Sequence, residues 1–170
     1  MRRLSAILGS FLFLLIAPGF VAGVVPYWIS RWRSGAAYAG SSAIRILGVL
    51  LIIFGIPLLL DSFTRFALQG QGTPAPVFPT KHLVVTGFYR YVRNPMYAGV
   101  ASVIFGQALY FRNVLVLEYG VIICLAFHLF ILFYEEPTLR RTFDREYEEF
   151  CKNVPRWIPR LSPWSPENRI

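Results

Sequence analysis

The sequence predicts an all-α fold: a polytopic helical bundle in a membrane, with about four transmembrane helices followed by a C-terminal amphipathic helix. Of its 170 residues, 55% are hydrophobic and 15% are charged, against roughly 25% charged residues in soluble domains. The mean hydropathy is +0.51. The apolar residues are gathered into long runs, as in membrane-spanning helices, rather than into short alternating strands. This length allows one bundle, so residues 1–170 are expected to form a single membrane domain.

Two spans are predicted in the first part of this domain, residues 1–68. Residues 4–25 follow two arginines and are mostly apolar, long enough to cross a bilayer, with a kink or an end expected at Pro18-Gly19. A cleaved signal peptide, ending at the small residues Val21-Ala22-Gly23, is the alternative. It is less favoured because the apolar run exceeds a usual signal core.

A loop rich in aromatic and arginine residues is expected from Pro26 to Ser42, where aromatic rings suit the membrane boundary. The second span then covers residues 43–60, and Asp61 is expected to cap its end. Residues 69–94 form a connecting segment on one face of the membrane. Its first part, Gln69 to Thr80, holds three prolines and two glycines, so it is either a plain linker or an ordered lid.

Residues 95–134 predict a helical hairpin. The third span runs from Pro95 to about Phe111 and carries several small residues, which allow close helix packing in lipid. A tight turn at Arg112-Asn113 leads into the fourth span, from Val114 to about Tyr134. His128 lies on this span, and a lone histidine there is more often a hydrogen-bonded core residue than a catalyst.

Residues 135–170 predict a polar C-terminal segment. After Glu135-Glu136-Pro137, apolar residues recur at spacings of four, four and three, which is helical, at positions Leu139, Phe143, Tyr147 and Phe150. A rigid aromatic tail follows from Val154 to Pro159. Cys124 and Cys151 lack metal-type spacing, so neither a metal site nor a disulfide framework is predicted.

The net charge of +8 would suggest nucleic acid in a soluble protein, but the placement of the charges gives another explanation. With a cytoplasmic N-terminus and four spans, 13 of the 17 basic residues fall on the inner side. The positive-inside rule therefore places both termini in the cytoplasm, with the protein in the cell membrane. No nucleic-acid partner is expected.

The polar stretch Leu83–Tyr97, which reads LVVTGFYRYVRNPMY, lies between apolar segments and leads directly into the third span. Pro95 suits the first turn of a helix, because its missing N–H would have no partner there. The free N–H groups and positive dipole end of such a turn, together with Arg93, can anchor a carboxylate.

The motifs resemble those of a known family. The pattern Leu83-Val84-x-Thr86-Gly87-x-Tyr89-x-x-x-Arg93-Asn94-Pro95-x-Tyr97, followed by Glu135-Glu136-x-x-Leu139 and Val154-Pro155-Arg156-x-Ile158-Pro159, is similar to that of the isoprenylcysteine carboxyl methyltransferase and phospholipid methyltransferase group. The resemblance covers about residues 72–159. The family commonly has histidine where this chain has Asn94, which can donate and accept hydrogen bonds but cannot act as a base.

The resemblance implies an integral-membrane enzyme that uses S-adenosyl-L-methionine to methylate a lipid or lipidated acceptor: a prenylcysteine-like carboxylate, a phospholipid amine or another isoprenoid. It implies catalytic roles for Arg93, Glu135 and Glu136, and substrate contacts for Arg90 and Arg93. The cofactor-binding residues that it implies are Leu83, Val84, Thr86, Gly87, Tyr89, Asn94, Pro95, Tyr97, Glu135, Glu136, Pro155 and Ile158.

Two other classes compete with this interpretation. A membrane NADPH-dependent reductase of the sterol type is similar in its C-terminal helix and Val-Pro tail, although the Arg93–Tyr97 pattern and the paired glutamates are closer to the methyltransferases. A non-catalytic four-span lipid-binding protein would need no polar motif at the helix mouth. Glu136 and Arg140 can also be read as a simple helix salt bridge, with the glutamate pair at a solvated interface.

Overall fold

The regular structure of the described residues is entirely helical. The computed structural model describes residues 2–35, 42–70 and 82–165. Its elements are α1 (Arg2–Gly19), a π-helical turn (Phe20–Val24), α2 (Val25–Ser30), α3 (Ser42–Arg65), a π-helical turn (Phe66–Gly70), a 3-10 turn (Gly87–Arg90), α4 (Pro95–Tyr110), α5 (Val114–Phe130), a π-helical turn (Ile131–Glu135) and α6 (Glu136–Asn153). The predicted all-α membrane bundle is confirmed.

Three helical stretches within the described segments are long and apolar enough to cross a membrane: Phe11–Ser30, Ser42–Arg65 and Val114–Asn153. Helix α4 is the fourth apolar helix, with 16 residues, or about 24 Å of rise. It is shorter than a bilayer core of about 30 Å. The bundle therefore has three long spans and one short helix packed among them.

Glycines bring α3 and α4 into backbone contact. A Cβ atom added at Gly48 would lie 2.7 Å from the carbonyl oxygen of Gly106, and one added at Gly55 would lie 2.8 Å from that of Gly99. Real Cβ atoms do not approach so closely, so each position requires glycine. This is the close helix approach that small residues were predicted to give the third span.

The bounds of the first two spans differ from the prediction. No break occurs at Pro26, because this proline lies in the first turn of α2, where proline is tolerated, and the helical path continues to Ser30. Helix α3 passes Asp61 and ends at Arg65. Asp61 is therefore no cap: its carboxylate accepts a hydrogen bond from Arg65 Nε at 2.8 Å.

Helices α4 and α5 follow each other across a short turn, and α5 does not end before the C-terminal segment. Asn113 caps α5, its side-chain oxygen accepting from the Val116 N–H at 3.1 Å. At the other end, the π-helical turn Ile131–Glu135 joins α5 to α6 without a break, and Pro137 lies in the first turn of α6. The backbone departs from helical geometry at Asp144, where φ is +40°.

The predicted apolar face of the C-terminal helix is buried against the polar motif. Tyr147 and Phe150 of α6 form one hydrophobic cluster with Val84, Tyr89 and Val154, and Leu139 and Phe143 pack at its edge. Helix α6 is thus amphipathic, and its apolar face covers residues 83–89. The interpretation of Gln69–Thr80 as a lid concerns mainly residues 71–80, which lie outside the described segments.

Candidate active site

The conformation of the stretch Leu83–Tyr97 depends on Gly87, a position that only glycine can occupy. Gly87 opens the 3-10 turn with φ of +56°, in the left-handed region. A Cβ atom there would collide with the guanidinium of Arg65, which lies directly against the Gly87 backbone. The motif glycine thus permits both the turn and its contact with the end of α3.

The end of α3 forms a platform for this turn that sequence reasoning missed. Asp61 and Arg65 pair at 2.8 Å, and the Phe88 N–H points at Asp61 Oδ2 at 3.5 Å. The ring of Phe66 packs on Tyr89 with 5.6 Å between centroids. An Asp and an Arg spaced by four residues at the end of an apolar run were the available signal.

Tyr89 is buried between the platform and α6, with 6% of its surface exposed. This burial, reinforced by the negative charge of Glu135, raises the pKa of Tyr89 well above its ordinary value. Tyr89 is therefore a neutral phenol. Val84 is buried in the same cluster, Leu83 packs at its edge, and Thr86 hydrogen-bonds to Gln69.

The two glutamates of the pair have different environments. Glu136 lies between two arginines: its carboxylate is 3.2 Å from Arg93 Nη1 and accepts from Arg156 Nε and Nη2 at 2.7 and 3.0 Å. The side chains of Glu136 and Arg93 are 9% and 11% exposed. The simple pair with Arg140 is not formed, since Arg140 lies 3.9 Å from Glu148.

Glu135 faces a cavity instead. The Tyr97 hydroxyl donates a hydrogen bond to Glu135 Oε2 at 2.5 Å, and within the described segments no ion pair joins Glu135 to a basic side chain. Its cavity is small, about 40 Å³, and is lined by Phe66, Tyr89, Arg93, Asn94, Met96, Tyr97 and Glu135. Arg93 Nε is buried and has no hydrogen-bond partner among the described residues. The cavity is thus lined by the Glu135 carboxyl group and by part of the Arg93 side chain.

The C-terminal tail is bonded to the motif through its backbone. Arg93 N donates to Pro155 O at 2.9 Å, Arg160 N to Tyr91 O at 3.0 Å, and Trp164 N to Arg90 O at 2.9 Å. Asn94 Nδ2 donates to Arg156 O at 3.2 Å. The side chain of Arg90, predicted to contact substrate, donates to Trp164 O at 2.7 Å and binds Ser165.

Pro155 and Ile158, predicted to wall a cofactor, do not line the polar cavity. Both are exposed, Ile158 by 79%. Trp157, between them, turns inward and donates from Nε1 to His128 Nδ1 at 3.1 Å. His128 is half-buried and connects the tail to α5 through this hydrogen bond.

A larger apolar groove of about 440 Å³ lies next to the polar cavity, between α1, α4 and α5. Its walls are Phe13, Ala17, Pro18, Val21, Met96, Tyr97, Val100, Ala126, Phe127 and Phe130. Met96 and Tyr97 line both spaces, and the Tyr97 ring packs on Phe127 at 4.8 Å. The polar cavity and the apolar groove therefore lie side by side, with Met96 and Tyr97 between them.

This arrangement defines a class: an α-helical membrane protein with a polar cavity at the start of a helix and an apolar groove beside it. Comparison with known families agrees, since the family model of phospholipid methyltransferases matches residues 43–146. The chain belongs to the phospholipid methyltransferase family. No curated protein and no solved structure gives a match. In the described segments, no group of three or more His, Cys, Asp or Glu residues could hold a metal ion.

Proposed function

We propose that the protein transfers a methyl group from S-adenosyl-L-methionine to a lipophilic acceptor at the membrane surface. The observation that carries this proposal is the junction at Tyr97, where a charged cavity meets an apolar groove. A reaction between a polar donor and a lipid needs two such compartments in contact. Membership of the phospholipid methyltransferase family supports methyl transfer over the reductase and scaffold interpretations.

The chemistry of the cavity fits the amino-acid end of this cofactor, which carries an ammonium and a carboxylate. Glu135 is the carboxylate on the wall without a basic partner in the described segments. Arg93 Nε is a buried donor whose partner is missing among the same residues, and a buried unpaired donor costs about 1–3 kcal/mol. We assign the ammonium and the positive sulfonium to Glu135. The carboxylate goes to Arg93 and the N–H groups of the first turn of α4.

A cavity of about 40 Å³ lies well below the roughly 300–1,000 Å³ of whole-ligand sites. It therefore suits one end of the cofactor, and the rest would extend past the motif. Tyr89 and Asn94 line the cavity. Leu83, Val84, Thr86 and Gly87 would shape the region beside it, and Pro95 begins α4 there. Pro155 and Ile158 remain predicted cofactor contacts on the outer side of the tail.

When bound, the cofactor supplies an electrophilic methyl group on sulfur. The residues of this chain align the two partners and exclude water, which is the main requirement of a direct displacement. Tyr97 lies where the acceptor head group would approach, and Glu135 balances positive charge beside it. Glu136 holds Arg93 in place through its ion pair, a positioning role that adds to the catalytic role predicted for it.

The groove supports an acceptor with an apolar chain. Ala126 and Phe130 on its wall are exposed, so a chain could enter from the surrounding lipid. The candidate acceptors are a prenylcysteine-like carboxylate, a phospholipid amine and another isoprenoid lipid, and the family favours the phospholipid amine. We place both termini on the cytoplasmic side of the cell membrane, where the charge distribution predicts them.

Calorimetric titration of the detergent-purified protein with S-adenosylhomocysteine, and separately with NADPH, tests the proposal. We expect saturable binding of S-adenosylhomocysteine that is lost in Glu135→Gln. Binding should be unchanged in Glu118→Gln, a matched variant at an exposed glutamate of α5. Binding of NADPH alone would move the protein to the reductase class. Binding of neither to a folded sample would favour a non-catalytic lipid-binding protein.

A further inference from the structure

Resting on the proposed function, we propose that α1 and its π-helical turn select the acceptor by its apolar chain. The part of the acceptor in question is one hydrocarbon chain, acyl or prenyl, whose head group lies at Tyr97. The four residues Phe13, Ala17, Pro18 and Val21 supply one wall of the groove. This wall lies outside residues 43–146, so membership of the family does not account for it.

The shape of the wall follows from Pro18. Proline has no N–H to donate, so it removes one hydrogen bond from the preceding turn of α1 and distorts the ladder. The π-helical turn Phe20–Val24 follows immediately. Such turns widen a helix locally and are frequent at functional sites. Here the distortion falls on the stretch of α1 that faces the groove.

Two side chains from other helices hold this turn in place. Gln107 Nε2 of α4 donates to Ala22 O at 2.6 Å, and the Tyr119 hydroxyl of α5 donates to Val21 O at 2.8 Å. Gln107 is buried, at 9% exposure, and a buried polar side chain in a membrane bundle needs such a partner. The groove therefore has three walls with fixed spacing, because one helix is bonded to the other two.

The occupant is identified by continuity and polarity. The groove is lined by apolar side chains apart from the Tyr97 hydroxyl, and it lies next to the polar cavity, with which it shares Met96 and Tyr97. A hydrocarbon chain fits this lining, and its polar end would then lie beside Glu135. Ala17 and Ala126 are the smallest side chains on the walls, so they leave the room that a chain would fill. A second chain, as in a diacyl lipid, would remain in the bilayer past the exposed Ala126.

Filling the groove is the first test. Ala17→Phe adds a ring to the wall, and Ile16→Phe adds the same ring on the exposed side of α1, where Ile16 is 61% exposed. The probes are lysophosphatidylethanolamines with a short or a long acyl chain, and their binding is measured by native mass spectrometry. S-adenosylhomocysteine affinity is measured in parallel by calorimetry.

We expect Ala17→Phe to weaken long-chain binding at least about tenfold, the scale of discrimination by apolar pockets. In the same variant, short-chain binding and S-adenosylhomocysteine affinity should stay within about twofold of the wild type. Ile16→Phe should leave the binding of both chain lengths unchanged. Equal long-chain binding in both variants would overturn the inference. Lipid binding is measured directly, independently of the cofactor. If the wild type did not bind S-adenosylhomocysteine, the proposed function would be refuted, but the result on chain selection would still stand.

Releasing the wall is the second test, and it does not depend on whether Ala17→Phe folds. Tyr119→Phe and Gln107→Leu each remove one hydrogen bond to the π-helical turn, while they keep a side chain of similar size. We expect the ratio of long-chain to short-chain affinity to fall at least about threefold in the double variant, with S-adenosylhomocysteine affinity retained. An unchanged ratio would show that the turn does not set chain selection.

Discussion

Replacing either member of the glutamate pair by glutamine should give opposite phenotypes. Glu136→Gln removes the negative charge between Arg93 and Arg156 and keeps the side-chain shape. Glu135→Gln makes the same chemical change one residue earlier, in a side chain whose partner is the Tyr97 hydroxyl. We expect Glu136→Gln to destabilise the fold, and Glu135→Gln to abolish cofactor binding with little effect on stability.

The size of the first effect follows from burial. The side chains of Glu136 and Arg93 are 9% and 11% exposed, but that of Arg156 is 30% exposed. Water therefore screens part of the attraction between Arg156 and Glu136. Removing one partner of a buried ion pair costs roughly 3–5 kcal/mol, and we expect about 3 kcal/mol here. For a chain of this size each kcal/mol shifts the unfolding midpoint by about 2–4 °C, so the decrease should be about 6–12 °C.

The assay is thermal unfolding in detergent, followed by tryptophan fluorescence, together with calorimetric titration of S-adenosylhomocysteine. Arg156→Gln is the partner control: it should lose less than Glu136→Gln, and the double variant should lose less than the sum of the two. The reasoning would be refuted if both glutamate variants lost stability equally. It would also be refuted if Glu136→Gln alone lost binding at an unchanged midpoint.

Four further substitutions, at three positions, test the motif, the family departure and the tail by thermal unfolding and S-adenosylhomocysteine titration. Gly87→Ala should cost at least about 1–2 kcal/mol, because alanine disfavours the left-handed conformation and its Cβ would collide with Arg65; a neutral result would mean that the turn is not held as described. The Asn94 side chain acts as a neutral donor to Arg156 O. Asn94→His should therefore keep the affinity for S-adenosylhomocysteine within about twofold, and Asn94→Ala should lower the free energy of unfolding by about 1 kcal/mol. A gain of about tenfold in the affinity of the histidine variant would instead indicate that the site lacks a charge. Trp157→Phe keeps a ring but removes the N–H to His128, and should cost about 0.5–1.5 kcal/mol, whereas an unchanged midpoint would show that the tail is not held there.

The helices could be predicted because hydropathy and length act locally. Long apolar runs need intrahelical hydrogen bonds in lipid, so composition alone fixed the all-α class and the hairpin around Arg112-Asn113. Helix bounds were less predictable where proline lay near an end. The loop predicted from Pro26 does not begin there, and the span predicted to end near Tyr134 continues past Pro137. Each proline lies in a first turn, where its missing N–H does no harm.

The site was only partly predictable, because its polar contacts join distant residues. The sequence singled out Arg93, Tyr97 and Glu135, which the structure brings to one cavity. It could not tell Glu135 from Glu136, since their difference depends on Arg156, twenty residues further along the chain. Nor could spacing show that Arg65 lies against Gly87, because this contact depends on the position of the end of α3.

The ends of the chain carry the two features that the family match leaves out. Residues 43–146 hold the motif, the hairpin and both glutamates. The groove needs α1 as its third wall, and Glu136 needs Arg156 from the tail. Methyl transfer and the choice of acceptor should therefore depend on different segments of the chain. Changes in α1 should alter which lipid is used, and changes in the tail should lower the stability of the cluster formed by Glu136 and Arg93.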